Sequence, residues 1–168
     1  GNEALEISGS GFSVLEFAAE NWQAHWIWYT AQRIENVRCF LRCEFTLTEK
    51  PVRAWLQYTA DDQGRFLVNG EAIETASDWH QTGHRDLATL LRPGKNVLAA
   101  AVSQLRYSAG LLAELDLLYA DGSESKVVSD QTWRCSLQET EGWALPGFDA
   151  AGWQPAVELG RPPDGAWG

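Results

Sequence analysis

Two adjacent carboxylates, Asp61-Asp62, stand between apolar runs, and seven residues on comes Asn69-Gly70. Trp79 sits in the polar stretch Ser77-Asp78-Trp79-His80-Gln81, and Arg106-Tyr107 precedes Ser108-Ala109-Gly110. Together these residue types suit recognition of a polyhydroxylated ring. Carboxylates and amides accept hydrogen bonds from vicinal hydroxyls, an aromatic plane covers the ring's apolar C-H face, and arginine donates to ring oxygens. Each residue also has a plain structural reading. Asp61 and Asp62 can form a polar turn through side-chain to backbone bonds. Asn69 before Gly70 is what a two-residue type I′ hairpin prefers. Trp79 can pack on a sheet edge, and Arg106 and Tyr107 can close their own loop.

Other chemistries find less support. Catalytic carboxylate pairs flank a cleft, but no pair stands out among the 23 Asp and Glu. There is no Gly-x-Ser-x-Gly elbow, no glycine-rich phosphate loop and no His-Glu-x-x-His. His80 and His84 have ligand spacing only on a helix, and Gly83 between them favours a loop. With 13 Lys and Arg the formal net charge is -10, which repels nucleic-acid phosphates. No apolar run reaches the ~18 residues of a membrane span.

The elements that position these residues read as short antiparallel strands. Over residues 37–45, Val37, Cys39, Leu41, Cys43 and Phe45 share one face opposite Arg38, Arg42 and Glu44, with Phe40 the exception. Val52, Ala54, Leu56 and Tyr58 alternate with Arg53 and Gln57, and residues 65–68 run into the Asn69-Gly70 turn. Leu111, Ala113, Leu115, Leu117 and Tyr119 face away from Glu114 and Asp116, and Asp121-Gly122 turns the chain into residues 125–129. Residues 96–102 are apolar on both faces, as in a central strand. Residues 86–91 read as a connector of one or two short helical turns, capped by Asp86 and stopped by Arg92-Pro93-Gly94. Residues 12–22 fit strand or helix equally. The expectation is an all-β jelly-roll sandwich with one or two short connector helices and no internal repeat.

A chain of 168 residues is one domain's length. Its core is expected over about residues 22–159, with residues 160–168 as an exit linker. A Gly1-Asn2 start and the lack of Met suggest a piece of a larger multidomain protein. Nine Trp raise a binding question, yet Trp26, Trp28, Trp55, Trp133, Trp143 and Trp153 fall in or beside strands, where aromatics fill cores. Cys39 and Cys43, four apart on one strand, cannot bridge each other. At most one pairs with Cys135, and all three read as reduced core residues.

In order along the chain come Ala24-His25-Trp26-Ile27-Trp28, Arg42-Cys43-Glu44-Phe45-Thr46-Leu47, Thr59-Ala60-Asp61-Asp62, Phe66-Leu67-Val68-Asn69-Gly70 and Leu91-Arg92-Pro93-Gly94-Lys95-Asn96-Val97-Leu98. Gly110-Leu111-Leu112-Ala113-Glu114-Leu115, Trp133, Gly142-Trp143, Pro146-Gly147-Phe148-Asp149 and Trp153 follow. The series resembles the accessory, N-terminal galactose-binding-like sandwich of bacterial α-L-rhamnosidase-type glycoside hydrolases, similar to rhamnose-binding carbohydrate modules. That resemblance implies a non-catalytic module binding L-rhamnose or a related glycan and targeting an attached glycoside hydrolase. It further implies that Asp61 and Asp62 are the sugar-binding pair and the ligands of a calcium ion, Asp62 standing where Asn is common. An extracellular or periplasmic setting follows from the resemblance, with unpaired cysteines pointing the other way. The alternatives are a structural accessory domain packing on the catalytic domain without binding sugar, and a domain that recognises a protein or polysaccharide-bound partner.

Overall fold

Alternation along each strand sends one set of side chains inward, so two sheets bury their apolar faces against each other. The computed structural model describes residues 22–76, 80–105 and 108–162. One six-stranded sheet runs β12 (Val157–Gly160), β1 (Trp26–Trp28), β8 (Gly110–Leu118), β3 (Arg53–Asp61) and β6 (Gly83–Asp86), with β9 (Glu124–Val128) also paired to β8. The other runs β11 (Gln154–Pro155), β10 (Arg134–Ser136), β2 (Val37–Leu47), β7 (Gly94–Gln104), β4 (Gln63–Val68) and β5 (Glu71–Ala76). Every pairing is antiparallel.

The inward sets close the core between the sheets. Cys39 and Leu41 from β2, Leu56 from β3, Phe66 from β4, Leu98 from β7 and Leu111 and Leu115 from β8 are all shut off from solvent. Each such aliphatic or aromatic side chain contributes roughly 1.5–3 kcal/mol. Val52 does not join them. It lies half in solvent before β3 begins at Arg53, so the inward series starts at Ala54.

The double-sided apolar character of β7 has a specific cause. Leu98, Ala100 and Val102 face the core, while Val97, Ala99 and Ala101 face a strap, residues 137–153, laid over the outer side of the second sheet. Phe40, the exception to the β2 alternation, points outward and meets the edge of Trp143 at 5.1 Å between ring centroids. Buried Arg42 fastens the strap. Its Nε donates to the Trp143 carbonyl at 2.9 Å and its Nη2 to the Leu145 carbonyl at 3.1 Å. Its guanidinium also pairs with Glu44 at 3.2 Å, and Glu44 accepts the Gly147 N–H.

The first sheet has a cover too. Trp22 and Trp26 cluster with Leu112 on its outer side. Glu114 Oε1 accepts the Gln23 and Ala24 N–H groups at 2.8 and 2.9 Å, and Oε2 takes Lys126 Nζ at 2.9 Å. Of residues 12–22 only Trp22 lies among the described residues, and it is buried.

The hairpin expectation holds: Asn69 (φ 50°) and Gly70 (φ 84°) turn β4 into β5, and β8 returns through β9. The connector helices do not form. Asp86 Oδ1 caps the Ala88 N–H at 2.9 Å, and Leu87 O takes the Leu90 and Leu91 N–H groups, giving a single turn. Leu87 and Leu91 must both reach the core from five residues of chain, and Pro93 then prevents a second turn. The described residues contain no helix.

Candidate ligand-binding site

Strand register brings several connections to one end of the sandwich. Asp61 at the end of β3 faces Gly110 at the start of β8, and Val37 at the start of β2 faces Gln104 at the end of β7. Gln63 opens β4 opposite Ser103, and Gly64 faces Ala76 at the end of β5. The connections holding residues 29–36, Asp62, residues 77–82 and residues 105–109 therefore all leave strands at this end. Trp79, Arg106 and Tyr107 belong to two of them but lie outside the described residues.

Asp61 and Asp62 form the sharpest of these connections, joined by a cis peptide bond. The Asp62 N–H donates to the Ser103 carbonyl at 3.1 Å, and Asp62 Oδ2 accepts the Leu105 N–H at 2.7 Å. One carboxylate oxygen thus holds the start of the loop that carries Arg106 and Tyr107. Asp61 is buried and Asp62 half-buried. At the same end of the sandwich a depression of about 380 Å³ is lined by Trp28, Thr30, Gln32, Arg33, Ser108 and Glu158, among others, with neither Asp61 nor Asp62 in its lining. Ala109 in its wall adjoins Gly110, the register partner of Asp61. Its polar lining can exchange hydrogen bonds with a hydroxylated ligand, and its size suits a small molecule.

Sequence reading missed these lining residues. The polar run Thr30-Ala31-Gln32-Arg33 after Trp-Ile-Trp was a usable signal, but nothing local placed Glu158 beside β1, since that requires the β1–β12 pairing across the chain.

Asn69 is not brought to this site and is corrected as a ligand residue. It lies at the far end of β4, and its side chain is consumed in structure. Asn69 Nδ2 donates to the Leu90 carbonyl at 3.2 Å and to Asn96 Oδ1 at 3.0 Å, while Asn69 Oδ1 accepts the Val97 N–H at 2.8 Å.

A calcium ion requires six to eight oxygens. Among the described residues no third Asp, Glu, His or Cys joins Asp61 and Asp62, and Asp62 Oδ2 already accepts a backbone N–H. These residues alone do not make a calcium shell. His84 lies on β6 stacked on Trp55 at 5.8 Å, and burial holds its pKa below the ordinary value. Trp26, Trp28, Trp133 and Trp143 are buried and Trp55 and Trp153 half-buried, as strand positions imply.

All three cysteines are free thiols. Cys39 Sγ donates to the Phe40 carbonyl at 3.9 Å, and the neighbouring Cys135 thiol together with burial raises the Cys39 thiol far above its usual range. Burial pushes Cys43 up to about 12.

Aligned over 189 residues, the chain is 29% identical to the α-L-rhamnosidase of Streptomyces avermitilis. It is homologous to a part of that enzyme. The match takes in 88% of this chain and 18% of the enzyme. The enzyme's crystal structure in complex with L-rhamnose superposes with a TM-score of 0.80 at 26% identity, over 86% of this chain and 15% of the other. A Pleurotus ostreatus lectin in complex with GalNAc gives 0.78 at 25% identity, over 86% of this chain and 45% of the lectin. A rhamnosidase of a Bacillus species gives 0.72 at 27% identity, over 87% of this chain and 19% of that one. No protein-family model matches the chain. The likeness to a minor part of a rhamnosidase and to a lectin supports a carbohydrate-binding or accessory domain.

Proposed function

We propose that this domain is a non-catalytic carbohydrate-binding module that takes L-rhamnose or a related sugar at the Asp61–Asp62 end of the sandwich and serves an attached glycoside hydrolase. The observation that carries this reading is the meeting of strand ends at Asp61 and Asp62 with a depression of about 380 Å³ at the same end, whose lining mixes Trp28 and Ile34 with the polar side chains of Thr30, Gln32, Arg33, Ser108 and Glu158. Carboxylate and carbonyl oxygens there accept from ring hydroxyls, and Ser108, Thr30 and Arg33 donate to ring oxygens. L-rhamnose and GalNAc in the crystal structures of the two relatives support a sugar as the ligand class. Tethering such a module to an enzyme raises the enzyme's effective concentration at its polymer.

The competing reading, an accessory domain that only packs on its neighbour, would call for a large apolar patch. Among the described residues the exposed large apolar side chains are Ile34, Val52, Leu105, Leu137 and Leu145, with no aromatic among them.

Isothermal titration with L-rhamnose, D-galactose, GalNAc and D-glucose, with and without calcium, tests the proposal on the native domain and on Asp61→Asn with Asp62→Asn. Saturable binding of one sugar, lost in the double variant while its melting curve stays cooperative, is expected. Silence with every sugar would transfer the assignment to the packing domain.

A further inference from the structure

A second polar depression, of about 450 Å³, lies on the outer side of the second sheet, just beyond the part the strap covers. Its floor is the small side chain of Ala101 and the backbone of Gly64, and its walls are Arg38 and Arg65 with Gln63 and Ser103. Register fixes the arrangement. Arg38 on β2 faces Ser103 on β7, which faces Gln63 on β4; in the next row Phe40, Ala101 and Arg65 align. From strand spacing and rise, the two arginine Cα atoms stand roughly 12 Å apart across β7, so their guanidinium groups can approach one bound group from opposite sides.

Charge makes this face unusual in its own molecule. The chain carries a formal net charge of -10, yet among the described residues no carboxylate lines this depression. Arg42, Arg53, Arg85 and Lys126 are each in an ion pair. Arg38 and Arg65 form none among the described residues, and Arg38 is held only by the face of Phe40, its guanidinium carbon 5.1 Å from the ring centroid. The side chains of Gln63 and Ser103 also have no hydrogen-bond partner among the described residues. Two cations with bidentate donor geometry, an amide, a hydroxyl and a flat floor form a matched set for a carboxylate carried on a hydroxylated ring. A polyphosphate is disfavoured, because the net negative charge repels it at distance.

We infer that Arg38 and Arg65 form a second glycan subsite, selective for a carboxylate-bearing sugar residue, a uronate. The ligand class rests on the carbohydrate reading above, whereas the site itself is separate from Asp61 and the 380 Å³ depression. The two are contiguous, since Gln63 follows Asp62 directly and Ser103 accepts the Asp62 N–H. A glycan chain lying from the loop end onto the sheet face would reach both.

The test is NMR titration of the ¹⁵N-labelled domain with D-glucuronate and, separately, with D-glucose, which differs at one carbon by lacking the carboxylate, and with L-rhamnose. Glucuronate is expected to shift resonances of Gln63, Gly64, Ala101 and Ser103 saturably. Arg38→Gln or Arg65→Gln should weaken it about 10-fold or more, as loss of a charge-assisted bond does. Both positions are exposed, and an otherwise unchanged spectrum verifies folding. Glucuronate binding there survives Asp61→Asn with Asp62→Asn even if L-rhamnose is silent, which would sink the loop-end reading alone. Rhamnose shifts at the loop end with no glucuronate shifts at the arginines would overturn the uronate subsite alone. Equal displacement by sodium sulfate and sodium acetate at the same concentration would also overturn it, by showing a site for any anion.

Discussion

Glu114 is the group whose removal the structure predicts most sharply. It is 1% exposed, and its two oxygens hold three donors: the Gln23 and Ala24 N–H groups and Lys126 Nζ. Glu114→Ala strands two backbone N–H groups beneath Trp22 and leaves Lys126 to Asp116 alone. Breaking a buried ion pair from one side costs about 3–5 kcal/mol. Lys126 is 31% exposed, so water and Asp116 recover part of that, and roughly 3 kcal/mol is the working figure. For a domain of this size, that is a fall in melting temperature of roughly 6–12 °C. Glu114→Gln keeps a carbonyl acceptor for the two N–H groups and loses only the ion pair, so about half the drop is expected. Calorimetry gives both values, and tryptophan fluorescence reports whether Trp22 becomes wet. A drop under about 1 kcal/mol for Glu114→Ala would refute the clamp, as would equal losses for Ala and Gln.

Other outcomes follow from geometry. A Cβ on Gly83 would collide with the ring of Tyr58, itself packed on Phe66; Gly83→Ala should cost about 1–3 kcal/mol in denaturant unfolding. Asn69→Ala loses three hydrogen bonds at a positive φ and should destabilise by about 2–3 kcal/mol while leaving the sugar isotherm unchanged; a lost isotherm in a folded variant would restore Asn69 to the site. Burial alone would raise the Glu44 carboxyl, but the Gly147 N–H, Arg42 and Lys95 outweigh it and hold its pKa below the ordinary 4.5. Its contribution is therefore complete above about pH 4.5 and lost as pH falls through the lower folded value; Glu44→Gln should flatten that part of the stability profile measured by urea unfolding. If Asp61 and Asp62 hold calcium, the ion raises the melting temperature of the native domain and leaves Asp61→Asn with Asp62→Asn unchanged, and identical shifts in the two proteins would exclude a metal there.

The strands were legible because each carries its own period: β2, β3 and β8 alternate, and Asn69-Gly70 names its turn. Phe40 and Val97 broke the pattern for one reason, a strap forty or more residues away from either, which no window over β2 or β7 could contain. The connector at residues 86–91 has helix-forming composition, but the need to seat both Leu87 and Leu91 held it to one turn. Asp61 and Asp62 could be suspected from residue type, whereas Glu158 and Ser108 enter the same site through pairings that link distant parts of the chain. Asn69 misled because the residue that suits a ligand's hydroxyls suits the backbone of β7 equally well.

The outermost strands have a consequence for life at high concentration. Both sheets end in strands that make poor templates: β12 and β6 have four residues each, β11 has two including Pro155, and β5 shows Glu71 and Glu74 to solvent. Short, charged or proline-bearing borders give an identical neighbour little to zip onto. Several such sandwiches can therefore be strung along one polypeptide, or crowded on one polymer, without fusing into continuous β-structure.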